Sequence, residues 1–305
     1  MSKAMRDVFV EALNAHMEKD DRVVVLDADL ARAHGTLALR DAFPERALNA
    51  GVAEANMVSV AAGLSSYGFI PFCNTFAPFL ARRACDQIAL SVAYARQNVK
   101  LVGSDPGITA ELNGGTHFGL EDVAIMRNFV DMVVYEPVDS AQLQQAMPQI
   151  IAHQGPVYIR LDRKGNATIF GENYKFDLFK ADVLTEGSDV TILALGGAMV
   201  TQAQQAVQLL AEKGVSAELI SVHTVKPLDA ETIVKSVQKT GKVVTVENHS
   251  TIGGLYSAVC ELLCQAHPAP VTPLGINNQF GRVGKQDYLR EFYGLRAEDI
   301  AAACL

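Results

Sequence analysis

Short apolar runs rich in β-branched residues alternate along the chain with longer stretches in which apolar residues recur at helical spacing. Most of these runs are apolar at every position, which is typical of strands that are buried on both faces of a parallel sheet. The pattern therefore predicts strands at residues 22–27, 69–73, 99–103, 132–135, 157–161, 190–195, 217–222 and 243–247.

Helices are predicted between these runs, and three of them carry a clear end signal. Pro78 suits a first helical turn, Asp139 has the side chain of an N-cap, and Gly214 is typical of a residue that ends a helix. The alternation with strands predicts right-handed βαβ crossovers and an α/β fold with doubly wound parallel sheets. The predicted helices are 5–19, 52–66, 78–96, 139–153, 198–213 and 253–266.

The alternation stops after the fifth run and resumes at the sixth. The segment between Lys164 and Asp189 is polar, with glycines and scattered aromatic residues. A length of 305 residues suggests about two domains. We therefore expect a first domain at 1–170, a linker at 171–187 and a second domain at 188–305, each domain built on its own doubly wound parallel sheet.

Composition and charge exclude several classes of function. The net charge of −8 and the lack of a Lys/Arg block argue against a surface for nucleic acid or for an anionic membrane. No apolar run approaches the ~20 residues that span a bilayer, and the N-terminus lacks the order of a signal peptide. We expect a cytoplasmic protein.

The five cysteines contain no CxxC pair and indicate reduced thiols. Cys260 and Cys264 share one helical face, which favours two core thiols over a metal pair.

Candidate chemistry lies at the carboxyl ends of the first-domain strands, because open parallel sheets bind ligands at that edge. Glu54 lies in the first turn of a predicted helix, where it either complements the helix dipole or faces a nitrogen of a heteroaromatic ligand. Phe76 and Phe79 follow the strand at 69–73, either as core aromatics or as a stacking platform for a flat ring.

Two further segments leave alternatives open. The loop at 104–117 contains three glycines and a proline, and is either a solvated crossover or a functional loop. Arg160 and Arg163 end the fifth strand, where they form either a surface ion pair with Asp162 or an anion clamp.

Taken together, these segments resemble transketolase from about Met5 to the C-terminus. Relatives that share the architecture include 1-deoxyxylulose-5-phosphate synthase and the β subunits of 2-oxo-acid dehydrogenases. The resemblance is carried by Gly51–Ser59 (GVAEANMVS), Pro71–Phe79 (PFCNTFAPF), Ala84–Ile88 (ACDQI), Thr224–Asp229 (TVKPLD) and Val246–Gly254 (VENHSTIGG).

The resemblance implies thiamine diphosphate as cofactor and the transfer of a two-carbon ketol unit from a ketose to an aldose. Glu54 matches the glutamate that hydrogen-bonds the aminopyrimidine N1′ and favours the tautomer that takes the thiazolium C2 proton. Phe79 matches the aromatic residue that stacks on the pyrimidine, with support from Phe76. Asp29 matches an acid near the cofactor.

The resemblance extends to the substrate. Arg6 and Arg163 match the arginines that hold a sugar phosphate. His117 matches a catalytic position, His or Gln in the family, beside the cofactor and the donor. Asp105 stands where transketolases usually have a histidine that contacts the donor, and Asn113 stands where many have an aspartate that contacts a substrate hydroxyl. The phosphate-binding serine that the family would have soon after Asp29 is also not evident, and Arg32, Ala33 and His34 stand there instead. These departures bear on the identity of the sugar.

A diphosphate group needs a cation and backbone donors, which full transketolases supply from a domain with a GDG motif. No GDG occurs in this sequence. The resemblance therefore implies a separate N-terminal transketolase subunit that carries the diphosphate-binding domain and the ligands of Mg²⁺ or Ca²⁺, in an α2β2 assembly.

Three functions remain open from the sequence. The first is a split transketolase that acts on sugars or sugar phosphates, which Arg163 and the close match around 71–87 favour. The second is a synthase of the 1-deoxyxylulose-5-phosphate type or a 2-oxo-acid dehydrogenase β subunit. The third is a non-catalytic assembly subunit, against which Glu54 and Phe79 speak because a scaffold would not need them.

Overall fold

The computed structural model describes residues 3–171 and 173–305, so residues 1, 2 and 172 of the predicted first domain and linker lie outside the described part. Within this part, the chain forms two mainly parallel sheets covered by helices. This confirms the predicted α/β fold class. The strands are β1 Val23–Asp27, β2 Ala47–Asn49, β3 Ile70–Phe76, β4 Lys100–Ser104, β5 Val133–Tyr135, β6 Val157–Leu161, β7 Asp182–Thr185, β8 Val190–Leu195, β9 Ala217–Ser221, β10 Thr224–Lys226, β11 Val243–Ser250 and β12 Val271–Ile276.

The described sheets have seven and five strands. The first has the order β10-β5-β6-β4-β3-β1-β2, and the second has the order β12-β11-β8-β9-β7. All pairs are parallel except β10 with β5 and β7 with β9. Strand β10 belongs to the chain of the second domain but completes the sheet of the first, so the two domains share an edge.

The helices that cover the sheets mostly agree with the predicted spans. The predicted helix at 78–96 is divided, since a regular helix ends at Arg83 and the chain continues through a short turn into a wide π-type helix at Ile88–Tyr94. The helices are α1 Met5–Met17, α2 Ala31–His34, α3 Leu37–Ala42, α4 Glu54–Ser66, α5 Ala77–Arg83, α6 Cys85–Gln87, α7 Asp122–Asn128, α8 Ser140–Ala152, α9 Gly197–Glu212, α10 Ala230–Thr240, α11 Leu255–Ala266, α12 Gln286–Tyr293 and α13 Ala297–Cys304.

Strands β1, β3, β4 and β6 are buried along their whole length, which explains why they read as unbroken apolar runs. One face of the first sheet packs on α1 and α8 around Phe9, Phe72 and Ile150. The other face contributes to a core that runs on into the second domain, from Leu26 to Ile220 and Leu263. The domains are therefore joined by apolar packing as well as by β10.

Part of the predicted linker is regular structure. Residues 182–185 form β7, which pairs with β9 at the edge of the second sheet. The strand is only partly buried and carries Asp182, so its pattern lacked the apolar run that marks the central strands. Strand β12 was missed for a related reason, because it is half-exposed and contains Pro273.

Arg160 lies at the boundary between the domains and is fully buried. Its guanidinium donates to Asp122 Oδ2 at 2.8 Å, to Glu136 Oε2 at 2.9 Å and to the backbone oxygen of Asn248 at 2.8 Å. Neither of the roles considered for it, a surface ion pair with Asp162 or an anion clamp, agrees with this position. Its donors are engaged within the protein and no ligand can reach them.

The cysteines of the described chain are all free thiols. Cys264 is exposed and Cys260 is only partly buried, so the expectation that both are core thiols is wrong. They occupy the outer side of α11 because the apolar face of that helix is supplied by Leu255, Val259 and Leu263. Within the described residues, no helix combines the length and apolarity needed to cross a membrane.

Candidate active site

Three neighbouring strands bring the candidate residues to one edge of the first sheet. β4, β3 and β1 lie side by side and run parallel, so Ser104, Phe76 and Asp27 end together. The segments that follow these ends carry most of the side chains selected from the sequence. Helix α4, which starts at Glu54 after β2, adds its first turn to the same edge.

Glu54 is 4% exposed and is paired with an arginine that sequence reasoning did not select. Arg83 Nη1 donates to Glu54 Oε1 at 2.8 Å. The same guanidinium lies over the ring of Phe79, with its carbon 4.0 Å from the ring centroid. A buried carboxylate and an aromatic face thus lie together, and both contact one planar cation. Arg83 follows Phe79 by four residues, a helical spacing that could have indicated this contact.

Phe76, Phe79 and His117 form an aromatic cluster beside this pair. The ring centroids are 5.7 Å apart for Phe76 and Phe79, and 4.9 Å apart for Phe79 and His117. Burial and the nearby charge of Arg83 lower the pKa of His117 below its ordinary value. The imidazole is therefore neutral at pH 7, with Nδ1 2.9 Å from the hydroxyl of Thr116.

Arg6, Asp105, Asn113 and Arg163 line one cavity of about 340 Å³, together with Lys164 and residues 109–112. The structure thus brings four of the candidate substrate residues together. Arg163 Nε pairs with Asp105 Oδ2, and Lys164 pairs with Glu111. Asn113 is exposed at the rim. We call this cavity the anion pocket.

Asp105 is held firmly at the base of the anion pocket. It has a positive φ of 49°, its backbone N–H donates to Leu161 O at 3.0 Å, and its Oδ1 accepts from the backbone of Arg163 at 3.3 Å. Burial raises the pKa of Asp105 to about 6, although Arg163 acts in the opposite direction. The guanidinium of Arg163 lies 5.2 Å from the centroid of Phe76, which joins the pocket to the aromatic cluster.

Asp29 lies at the same sheet edge but faces a different partner. Its side chain accepts from Asn49 Nδ2 at 3.1 Å, and its backbone N–H donates to Asn49 Oδ1 at 3.0 Å. These two hydrogen bonds link the end of β1 to the end of β2. Among the described contacts, Asp29 is joined neither to the Glu54–Phe79 pair nor to the anion pocket.

Comparisons with known proteins agree with this geometry. The family model "Transketolase, pyrimidine binding domain" matches residues 1–167, and "Transketolase, C-terminal domain" matches residues 179–300. The chain is 56% identical over 299 residues to the 6-deoxy-6-sulfo-D-fructose transketolase subunit SqwH of Clostridium sp. (strain MSTE9), covering 98% of this chain and 92% of that protein. It is 42% identical over 302 residues to a putative transketolase C-terminal section of Methanocaldococcus jannaschii, covering 98% and 94%.

A solved structure named "Split gene transketolase, inactive beta4 tetramer" superposes with a TM-score of 0.90 at 41% identity, covering 100% of this chain and 97% of that one. Both domains and their order are therefore matched over almost the whole length. The chain belongs to the transketolase family, and it carries that family's pyrimidine-binding and C-terminal domains.

Proposed function

We propose that this chain is one subunit of a two-chain, thiamine-diphosphate-dependent transketolase whose donor is a ketose with a monoanionic end group. A sulfonated ketose such as 6-deoxy-6-sulfo-D-fructose is the donor we favour, which is the sugar in the name of the relative at 56% identity. The observation that carries the proposal is the ion pair between Arg163 and the buried Asp105 in the anion pocket.

The residues at the sheet edge fit the aminopyrimidine of thiamine diphosphate. Glu54 and Phe79 already hold a flat group that donates an N–H to the carboxylate and lies on the ring. An aminopyrimidine offers the same combination of a ring nitrogen and a planar face. The side chain of Arg83 is 48% exposed, so it can turn into solvent when another group takes its place.

Thiamine diphosphate, when bound, supplies the electron sink for breaking and forming the carbon–carbon bond. Glu54 would hold the hydrogen bond at the pyrimidine, and Phe79 would fix the ring plane. His117 would exchange a proton with a hydroxyl of the donor, because its lowered pKa keeps it neutral at pH 7. The aromatic cluster around Phe76 would keep water from this side of the site.

The charges of the anion pocket favour one negative charge over two. Its described lining holds three cationic side chains, Arg6, Arg163 and Lys164, and two carboxylates, Asp105 and Glu111, which leaves a net charge of +1. A phosphate monoester carries about −1.5 to −2 at pH 7, whereas a sulfonate carries a single charge. Asp105 replaces the histidine usual in transketolases, so it adds a repulsive element against a dianion.

A separate partner chain would complete the site. The relative at 56% identity is named as a subunit, and the superposed structure is named as a split-gene enzyme. We propose that the partner supplies the diphosphate-binding domain and the ligands of Mg²⁺ or Ca²⁺, and that two copies of each chain assemble.

The test combines this chain with the chain of the same genome that carries the diphosphate domain. Ketol transfer to an aldose is measured with three donors, namely 6-deoxy-6-sulfo-D-fructose, D-fructose 6-phosphate and D-fructose. We expect activity only from the mixture, with the highest kcat/KM for the sulfonated donor. Activity of this chain alone, or a preference for the phosphorylated donor, would contradict the proposal.

A non-catalytic assembly subunit is the alternative, and Glu54→Gln distinguishes it. The substitution keeps the shape of the side chain but removes the charge that faces the pyrimidine. We expect turnover of the mixture to fall by about 10²–10⁴-fold, the usual range for loss of a proton-handling group. The exposed Glu45→Gln variant serves as the control, and an unchanged rate with E54Q would support a scaffold.

A further inference from the structure

Asp27, His34 and Ser104 form a buried line of polar side chains behind the aromatic cluster. His34 Nε2 lies 2.6 Å from Ser104 Oγ, and His34 Nδ1 lies 3.7 Å from Asp27 Oδ1. The hydroxyl of Thr36 donates to the other oxygen of Asp27 at 2.7 Å. Among the described residues, neither His34 Nδ1 nor Asp27 Oδ1 has a hydrogen-bond partner, so a shift of under 1 Å would satisfy both buried atoms at once.

This order of side chains resembles that of a hydrolase triad, but the geometry excludes a nucleophilic role. Ser104 is 1% exposed and His34 is 5% exposed, so no substrate can reach the hydroxyl. These three side chains must therefore act by holding other parts of the protein in place.

His34 lies between the ends of two strands that are not neighbours. Asp27 ends β1 and Ser104 ends β4, while β3 lies between them in the sheet. His34 spans the end of β3, where its ring meets the edge of Phe76 with centroids 5.8 Å apart and planes at 84°. It therefore lies directly behind the aromatic cluster, bonded to the end of β4 and close to the end of β1.

Both arginines of the anion pocket are linked to the short helix α2 that ends at His34. Arg6 Nη1 donates to the backbone oxygen of Ala33 at 3.1 Å, one residue before His34. On the other side, His34 holds Ser104, which is followed by Asp105, the partner of Arg163. A movement of His34 would thus shift the two guanidinium groups relative to each other.

We propose that His34 is a positioning residue that sets the spacing of Arg6 and Arg163, and that it thereby determines how well the enzyme selects donors with an anionic end. The inference rests on the proposed function. His34 acts through α2 and through the Ser104–Asp105 turn, without touching the substrate. Bidentate recognition of an anion by two arginines depends on their geometry, so a small change in spacing costs much of the affinity.

The experiment measures steady-state kinetics of the reconstituted two-chain enzyme with 6-deoxy-6-sulfo-D-fructose and with D-fructose. For His34→Ala we expect KM for the sulfonated donor to rise by about 10- to 100-fold, while kcat/KM for D-fructose stays within about twofold. His34→Gln, whose amide nitrogen can reach the position of Nε2 and so still hydrogen-bond Ser104, should recover part of the loss. Calorimetric titration with sodium methanesulfonate, a monoanion like the proposed end group, should show a parallel loss of anion binding.

His223→Ala is the matched control. His223 is as buried as His34, and its Nε2 bonds Lys180 O at 2.7 Å, away from the anion pocket. The His223→Ala substitution should lower the melting temperature without changing the ratio of kcat/KM for the sulfonated donor to kcat/KM for D-fructose. Ser104→Ala provides a second route to the same phenotype if His34→Ala does not fold.

The inference would be overturned if His34→Ala or Ser104→Ala left the ratio of kcat/KM for the two donors unchanged. An equal fall in kcat/KM with both donors would overturn it as well. A wild-type enzyme that uses neither donor would instead contradict the proposed function, so the two failures are distinguishable.

Discussion

Arg83 contacts the two side chains that we propose for the pyrimidine of the cofactor. Its ion pair with Glu54 neutralises a buried carboxylate, and its stacking covers the face of Phe79. Because the arginine is half-exposed, such a pair contributes about 1 kcal/mol or less, and the cation–π contact contributes ~0.5–1 kcal/mol. A pyrimidine that takes both partners must first displace these contacts, which are weak enough to yield.

We therefore expect Arg83→Met to tighten the binding of thiamine diphosphate by about tenfold, equivalent to the ~1.4 kcal/mol of contacts that no longer compete. Calorimetric titration of the reconstituted enzyme with the cofactor measures this directly. Arg82→Met is the control, since Arg82 contacts Glu121 and Phe118 O instead. Weaker binding in the Arg83 variant would mean that the arginine supports the cofactor rather than competing with it.

The raised pKa of Asp105 predicts a pH dependence of donor binding. Burial raises this pKa to about 6, so the carboxyl is ionised at pH 8 and protonated at pH 5. Protonation changes the net charge of the anion pocket from +1 to +2 while a sulfonate remains a monoanion. KM for the sulfonated donor should therefore fall about tenfold as the pH decreases from 8 to 5.

Asp105→Asn should abolish this pH dependence and keep KM at its low-pH value. The same variant should use D-fructose 6-phosphate better than the wild type, because the repulsion against a dianion is gone. A wild-type KM that does not vary between pH 5 and 8 would show that Asp105 does not control the charge of the pocket. Initial rates over a range of donor concentrations at each pH give these values.

The sequence could locate the candidate residues but could not show how they are paired. The pattern singled out Glu54, Phe76, Phe79 and the loop that ends at His117, and the family resemblance gave these residues their roles. The structure places the four side chains within one cluster. The pairing with Arg83 depends on the direction of a flexible side chain. The role of Arg160 depends on burial at a domain boundary, which no pattern within its own strand indicates.

At the scale of elements, burial decides what the sequence reveals. Strands β1, β3, β4 and β6 are covered on both faces, so their residues are apolar throughout and easy to recognise. β10 spans three residues and pairs with a strand of the other domain. Its existence depends on a contact between residues about 90 positions apart, which a local pattern does not encode.

Asp139 secures two elements at once and should be important for stability. Oδ1 accepts from the backbone of Gln142 at 2.8 Å and caps α8, while Oδ2 accepts from Ile169 and Phe170 at 2.8 Å each. Asp139→Ala leaves two buried N–H groups and one partly buried N–H group without their acceptor. We expect a loss of about 3 kcal/mol in the free energy of unfolding, measured by urea denaturation.

Asp177→Ala is the comparison for this loss, since Asp177 accepts one exposed backbone bond from Phe179. It should change the free energy of unfolding by under about 1 kcal/mol. Equal effects of the two substitutions would show that the Asp139 network adds nothing beyond a surface cap.

At the scale of the whole molecule, the two domains are joined by a shared apolar core, by β10 and by a buried polar network around Arg160. Burial by itself would raise the pKa of Asp122, but the charge of Arg160 and the hydrogen bonds that Arg160 and Tyr158 donate hold this pKa below its ordinary value. Glu136 behaves differently, because burial raises its pKa to about 7 despite the same arginine. Gly196 of the second domain closes over Glu136 so tightly that any side chain there would collide with the carboxylate.

Replacing Arg160 tests whether this network is what couples the domains. Arg160→Met keeps most of the volume but leaves the buried carboxylates of Asp122 and Glu136 without their cation, which costs about 3–5 kcal/mol in comparable cases. We expect a lower melting temperature and a partial rescue by adding Asp122→Asn, since that change removes one uncompensated charge.

The control is Arg22→Met, which breaks an ion pair on the surface and should leave the unfolding transition unchanged. Calorimetry would show a single transition for the wild type, because the shared core makes the domains unfold together. If Arg160→Met unfolds at the wild-type temperature, apolar packing and β10 alone hold the domains in the arrangement that positions the candidate active site.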